Sequence, residues 1–393
     1  MTQAHWLFDW HIRQRILPAL AQLDGLQSEW PRALQVYDTL AQQNLAFDLR
    51  RQPPWPSNLC EDNSALELGY TFGGRDSCGL RYSFEPTMRA GILRNRYSLF
   101  RERMVALAQL LGPDYDLSAL IQAAHIAVPR EQTRQAETTV CIAAVHHYRD
   151  RPPRIKGYYS CDYPQQPRRG RQVAMRLLSL ANDKIIEAQT REFFRQFRPQ
   201  GGLRMVGLDV EPGKALAVKI YKSGDDLSKP ALQRLIAMAG GGQKARAALQ
   251  KFQDIFLDSA RQPALFDLVT LATKHRGDPG LKLYIRPVDF YSDAEALRRL
   301  QAWYQWLGRE DNFAQVRRGL SCVAPLEHLR HTRGFFNYIS VDMGAAGASK
   351  TSVYFTPQIL LNYLATKAKQ NFIKLAKPVV IDSSTLLSDA DAK

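Results

Sequence analysis

Three short segments each carry a lysine and a tyrosine two positions apart. "IKGYYSC" holds Lys156 and Tyr158, "AVKIYKS" holds Lys219 and Tyr221, and "LKLYIRP" holds Lys282 and Tyr284, with successive lysines 63 residues apart. In a β-strand, residues i and i+2 share a face, so each pair sets an ammonium beside a phenol. Ammonium groups gathered from several strands suit a compact polyanion that accepts hydrogen bonds from several sides. Phenol rings gathered in the same place suit a cation, each ring face contributing about 0.5–2 kcal/mol.

The elements that must position these pairs are β-hairpins. "ALELGYTF" is followed by "GLRYSFEP", "TVCIAAVHHY" by "RIKGYYSCDYP", and "LRMVGLDV" by "ALAVKIYK"; "LFDLVTLAT" is followed by "GLKLYIRP" and "FFNYISVDM" by "KTSVYFTP". A Gly-, Pro- or Asp-rich turn separates the members of each pair. Between hairpins lie stretches with helical periodicity: "RNRYSLFRERMVALAQLL", "RQVAMRLLSLANDKIIEAQTREFFRQF", "KPALQRLIAMA", "KARAALQKFQDIFLDSA", "DAEALRRLQAWYQWLG" and "PQILLNYLATKAKQNFIKLA". The expectation is an α/β (α+β) chain of ten antiparallel strands. Such strands either stay an open sheet or close into a barrel wide enough to hold a lumen. No linker divides the chain, which reads as one domain over 1–393. N-terminal helices occupy 1–60, the repeats about 60–360, and a C-terminal helix with a frayed tail 357–393.

Alternation sorts the second strand of each hairpin into two faces. One is apolar, with Leu80, Tyr82, Phe84, Val218, Ile220, Leu281, Leu283, Ile285, Val353 and Phe355. The other holds Arg81, Lys156, Lys219, Lys282 and Lys350, with Tyr158, Tyr221, Tyr284 and Tyr354. For a single strand, a lysine and a tyrosine facing water is the better explanation of this pattern. For five hairpins, closure would bring five cations to one lumen, where unpaired charges cost several kcal/mol each. A diphosphate would answer that charge, and the tyrosines would shelter a carbocation. The combination suits ionisation of an allylic diphosphate, with the cations taking up the leaving-group charge. Glu67 of "LELGY" shares the lumen face. It reads either as an acceptor for an indole N–H or as the ion-pair partner of Arg81.

Composition bounds the rest. The 393 residues carry a formal net charge of +15 at pI 9.6, which predicts an anionic partner. Five cysteines form no CxxC pair and leave an odd count, which fits reduced thiols in a cytoplasm. No Cys/His cluster has zinc-ligand spacing. No run is long and apolar enough to span a membrane, and the N-terminus reads as an amphipathic helix. Basic residues in "PRRGRQVAMR" and "TREFFRQFRPQGGLR" could meet nucleic acid or simply face solvent, and no nucleic-acid-binding motif accompanies them.

Together, "LELGYTF" with "LRYSFEP", "KGYYSCDYP", "VKIYK" and "LKLYIRP" resemble the dimethylallyltryptophan synthase-like aromatic prenyltransferases, over residues of about 60 to 360. That resemblance implies the ABBA barrel of five αββα repeats. It implies a cytosolic enzyme that moves a dimethylallyl or geranyl group from its diphosphate to an indole ring. Transfer to a phenol such as tyrosine is the alternative, and neither nucleic acid nor membrane is a partner. It makes Glu67 the indole N–H acceptor, Arg81, Lys156, Lys219 and Lys282 the diphosphate cations, and Tyr158, Tyr221, Tyr284 and Tyr354 the shield. Lys350 is added from strand parity. Where relatives often carry an arginine before the third-hairpin lysine, this chain has Ala217, and Arg286 is the candidate replacement. Ala217 and Gly280 are small enough to leave room for a longer prenyl chain. "CIAAVHHY" lacks the lysine that removes the ring proton in relatives attacking through the indole C4 region; His146 or His147 is the substitute, unless structural. "GDDLSKP" has Asp225 and Asp226 but no third aspartate in place, so no metal cofactor is expected. The length resembles that of bacterial members.

Overall fold

The computed structural model describes residues 7–23, 25–41, 45, 48–49, 57, 59–60, 64–72, 79–86, 93–127, 141–161, 167–181, 184, 187–188, 191–192, 203–223, 229–238, 240–257, 268–273, 279–323, 325–344 and 347–367. Ten strands appear: β1 (Leu66–Phe72), β2 (Arg81–Phe84), β3 (Cys141–His146), β4 (Arg154–Ser160), β5 (Leu203–Val210), β6 (Ala217–Ser223), β7 (Leu268–Thr273), β8 (Pro279–Ile285), β9 (Phe336–Gly344) and β10 (Gly347–Phe355). Every pairing is antiparallel. The order β1-β10-β9-β8-β7-β6-β5-β4-β3-β2 returns to β1 through the β1–β2 pair, which closes the sheet into a barrel.

Closure gives the strands two environments. The outward face carries Leu66, Leu68, Tyr82, Phe84, Val145, Ile155, Tyr159, Val206, Leu208, Ile339, Val341 and Phe355, all in one apolar cluster shared with the surrounding helices. Those helices include Leu93–Leu111, Ser118–Ala127, Pro167–Ser179, Lys229–Met238, Gln243–Phe256, Asp293–Trp306, Glu310–Val323 and Pro357–Lys367. Polar bonds fix where helices meet strands. The Trp303 indole N–H donates to Thr351 Oγ1 at 3.0 Å. Asp293, at the start of its helix, accepts from the backbone N–H of Phe335 and Phe336, both at 3.1 Å, which sets where β9 enters the barrel.

The N-terminal helical expectation holds, as helix over Phe8–His11, a π-turn over Ile12–Ile16 and helix again over Leu17–Leu23. Among the described residues two helices lie outside the sequence reading: Glu310–Val323 and Ser118–Ala127. The second of these is rich in alanine, whose weak apolar signal blurs its stripe. The expected helix after residue 171 is helical from Pro167 to Ser179, and most of its second half, like the tail beyond 367, falls outside the described residues. Among the described residues no helix is long and apolar enough to cross a membrane.

Chain direction decides the depth of each lumen residue. The hairpin turns at 147–153 and 211–216 lie at one end of the barrel, and because all neighbouring strands are antiparallel, β2, β4, β6, β8 and β10 all run away from that end. A residue two positions further along therefore lies about 7 Å further down the strand, and correspondingly deeper. In β4, β6 and β8, each the second strand of its hairpin, lysine precedes tyrosine. Lysines therefore come nearer the turns and tyrosines lie beneath them.

Candidate active site

The cations gather as the alternation requires. Arg81, Lys156, Lys219, Lys282 and Lys350 all line one cavity of about 310 Å³, with Tyr158, Tyr221, Tyr284 and His146. Arg286 does not join them. β8 ends at Ile285, Arg286 caps the short 3-10 turn Pro287–Asp289, and its guanidinium lies 3.4 Å from Asp289. Ala217 and Gly280 line the cavity at the turn end, where Ala217 is opposite Asp209 in register. Their small side chains widen the cationic level and not the tyrosine level below it.

The cations are not alone, which corrects the expectation of five unpaired charges. Asp209 of β5 is buried and lies opposite Lys156 in register. Its Oδ2 accepts from Lys219 Nζ at 2.5 Å and lies 3.4 Å from Lys156 and 3.8 Å from Arg154. Arg154 also pairs with Glu211. Asp342 of β9 lies 3.6 Å from Lys282 and opposite Lys350 in register. Burial raises the Asp209 carboxyl, but Lys156, Lys219 and Arg154 together hold it well below the usual carboxylate range. Burial, followed by the neighbouring cations, pulls Lys156 well below an ordinary ammonium despite Asp209. Burial also lowers Lys282, but Asp342 and Tyr354 outweigh it and leave that ammonium raised. Asp209 and Asp342 stand in the first strands of their hairpins, in "LRMVGLDV" and "NYISVDM". The alternation that singled out the second-strand lysines, applied there, puts both carboxylates on the same face.

Beneath the cations the tyrosines form a continuous belt. Ring centroids are 5.7 Å apart for Tyr158–Tyr221, 6.1 Å for Tyr221–Tyr284 and 6.0 Å for Tyr284–Tyr354. Tyr338, which sequence reasoning missed, adds a fifth ring at right angles to Tyr284, 6.1 Å away. Two glycines make room. A Cβ on Gly207 would lie 3.1 Å from the rings of both Tyr158 and Tyr221, and one on Gly69 would lie 3.1 Å from Tyr354. Arg81 joins the two levels, donating to Tyr354 Oη at 2.8 Å and to Tyr158 Oη at 2.6 Å. Lys282 donates to Tyr354 Oη at 3.3 Å and to Ser352 Oγ at 2.9 Å. Burial pushes the Tyr354 phenol up, yet Arg81 and Lys282 bring it down to about 8.

Glu67 lies two residues further from the turn end than Gly69, which pairs with Tyr354, and is opposite Ser83 in register. Its carboxylate accepts from Asn337 Nδ2, which also donates to Leu59 O at 3.0 Å. The carboxylate bonds to Asn337 while the Arg81 guanidinium reaches the two tyrosines. Burial raises Glu67 to about 7, against the opposing pull of Arg81, Asn337 and Ser83. His146 lines the cavity beside Arg81 in register, its ring 4.1 Å from that of Tyr148. Burial first, then Lys156, Arg81 and Arg154, push its imidazole well below the usual range, so it is neutral at pH 7. His147 faces the other way, its Nε2 3.1 Å from Tyr82 Oη. Buried atoms on the lumen side without a hydrogen-bond partner include Arg81 Nε, His146 Nε2, Asp209 Oδ1 and Ser340 Oγ. Such atoms cost about 1–3 kcal/mol each if left dry. The lumen therefore carries donors and acceptors that the fold itself does not use.

Among curated proteins none matches this chain. Solved structures do, at low identity. The 5-dimethylallyltryptophan synthase of Streptomyces coelicolor superposes with a TM-score of 0.73 at 17% identity, covering 89% of this chain and 97% of its own. The 6-dimethylallyltryptophan synthase of Micromonospora olivasterospora, solved in complex with DMASPP and Trp, gives 0.73 at 17%, covering 90% and 98%. AnaPT of Neosartorya fischeri gives 0.70 at 16%, covering 91% and 95%. At these identities the likeness establishes the shared ABBA fold. The sequence model of tryptophan dimethylallyltransferases matches residues 31–318. By that match across most of its length, the chain belongs to the tryptophan dimethylallyltransferase family.

Proposed function

We propose that the protein transfers a dimethylallyl group from its diphosphate to the indole ring of tryptophan or a tryptophan-derived compound, within a single ABBA barrel domain. The observation that carries this reading is the stacking of two levels in one lumen, cations towards the turns and five tyrosine rings beneath. The C–O bond of the donor breaks, and its electron pair leaves with the diphosphate. Arg81, Lys156, Lys219, Lys282 and Lys350 take up the charge that develops on the leaving oxygen, where fixed donors count most. No metal is needed for that task, because the protein supplies the cations. Tyr158, Tyr221, Tyr284, Tyr338 and Tyr354 face the allyl cation and exclude water.

An indole carbon attacks, the new C–C bond forms, and the ring proton departs. Glu67, at the floor, accepts the indole N–H and enriches the ring in electrons. His146, neutral and with Nε2 unpartnered, takes the ring proton in place of the lysine this chain lacks. Arg286, paired with Asp289, has no part in this scheme.

The test is a product panel in the presence of chelator, read by mass spectrometry. Tryptophan, tyrosine and indole alkaloids are each offered with five- and ten-carbon allylic diphosphates. The expected result is C-prenylated indole from the five-carbon donor. Prenylated tyrosine with unreacted indole would transfer the reading to a phenolic acceptor. No product from any pair would overturn it.

A further inference from the structure

The cationic level contains a carboxylate that a simple diphosphate cradle has no use for. Asp209 is 4% exposed and lies between Lys156 and Lys219. Its bonding is lopsided. Lys219, Lys156 and Arg154 all approach Oδ2, at 2.5, 3.4 and 3.8 Å, while Oδ1 has no hydrogen-bond partner. A carboxylate that only braced the barrel would be expected to use both oxygens. Each ammonium has three donors, so the two lysines can meet Asp209 and still face a ligand. The charge count around the cavity has the same sense. Among the described residues lining it, six Lys and Arg side chains stand against three carboxylates, Asp209, Glu211 and Asp342, leaving a formal +3. A prenyl diphosphate carries roughly −3 near neutral pH.

Resting on the donor site proposed above, we infer that Asp209 is a built-in counter-anion. It competes with the bound diphosphate for Lys156 and Lys219, and so limits how tightly the leaving group is held once the C–O bond has broken. Without it, six cations would face two carboxylates and the freed diphosphate would leave slowly. Asp342 has the same relation to Lys282, in a more open setting: its side chain is 31% exposed.

The experiment is calorimetric titration of the full chain with inorganic pyrophosphate at fixed ionic strength, for wild type, Asp209→Asn and Asp209→Glu. The expected result for Asp209→Asn is a Kd at least about tenfold lower than wild type. Prenyl transfer should then show a fast first turnover followed by slowed cycling. Asp209→Glu, which keeps the charge, should stay within about threefold of wild type. A brace for the lysines would behave oppositely, and weaker or unchanged pyrophosphate binding in Asp209→Asn overturns the inference. If Asp209→Asn does not fold, Asp342→Asn is titrated in its place. Tightening of about threefold supports the counter-anion role, and loss of affinity overturns it. Failure of wild type to bind pyrophosphate at all is a different result. It removes the donor site itself, and the inference falls with it.

Discussion

The two levels of the lumen are built on opposite terms. At the turn end charge is dense and only partly compensated, with Lys156, Lys219 and Arg154 sharing Asp209 and Lys282 beside Asp342. One level down, the tyrosine belt has almost no formal charge and is held by shape, through ring contacts of 5.7–6.1 Å. The upper level is therefore sensitive to charge and tolerant of small shifts in position. The lower level is sensitive to volume and indifferent to salt. Arg81 bonds to two rings of the lower level through both ends of its guanidinium while lining the upper cavity, and Lys282 reaches one of them, Tyr354.

The largest expected effect breaks the upper level. Lys219→Ala removes one donor to the leaving group and leaves the belt intact. Prenyl transfer should fall by roughly 10²–10³ in kcat, with thermal stability close to wild type, as steady-state kinetics beside a melting curve would show. The next effect breaks the lower level by volume alone. Gly207→Ala places a methyl group 3.1 Å from two rings. Overpacking of this kind costs about 1–3 kcal/mol, so the denaturation midpoint should drop while pyrophosphate affinity stays unchanged.

A third prediction concerns the floor. Glu67 is raised from 4.5 to about 7 on folding, so the folded state binds its proton more tightly than the unfolded chain does. That contribution to stability is fully present below about pH 4.5 and is lost as pH rises through about 7, each tenfold difference in proton affinity being worth about 1.4 kcal/mol. Catalysis should run the other way, because the charged carboxylate accepts the indole N–H more strongly than the neutral acid does. In wild type, kcat/KM for the indole substrate should rise with an inflection near pH 7, and Glu67→Gln should flatten that limb of the profile. The smallest effect sharpens the link between levels. With Tyr354 at about 8, one phenol should ionise ahead of the rest. Ultraviolet difference titration should show a single tyrosinate step near pH 8 that Tyr354→Phe abolishes.

Much of this comparison was legible in the residues. Lys156, Lys219 and Lys282 recur at one interval with tyrosines two places on, and period-2 alternation is enough to put them on one face. Lys350, placed by parity alone, does line the cavity. Arg286, the candidate replacement for the arginine absent at Ala217, lies one residue past the end of β8; once the strand stops at Ile285, alternation no longer says where a side chain points. Asp209, Asp342 and Tyr338 sit in first strands, which lack the Lys–Tyr repeat that marks the second strands, so they stand out only when the same alternation is applied there. Glu67 was placed on the lumen face, but its bond to Asn337 spans 270 residues, and nothing local in "LELGY" announces it.

What the chain determined by itself was the alphabet of the site: which side chains share a face, which hairpins carry them, and in what order along each strand. Those follow from the two-residue repeat of an extended backbone, a local property. What the tertiary structure alone decided was who meets whom across the lumen. Whether a lysine is paired, whether a carboxylate rises to about 7 or is held low, and whether five rings touch all depend on strand register and on how the sheet closes. Pair energies fall with distance and grow with burial, and both are set by residues far apart in sequence.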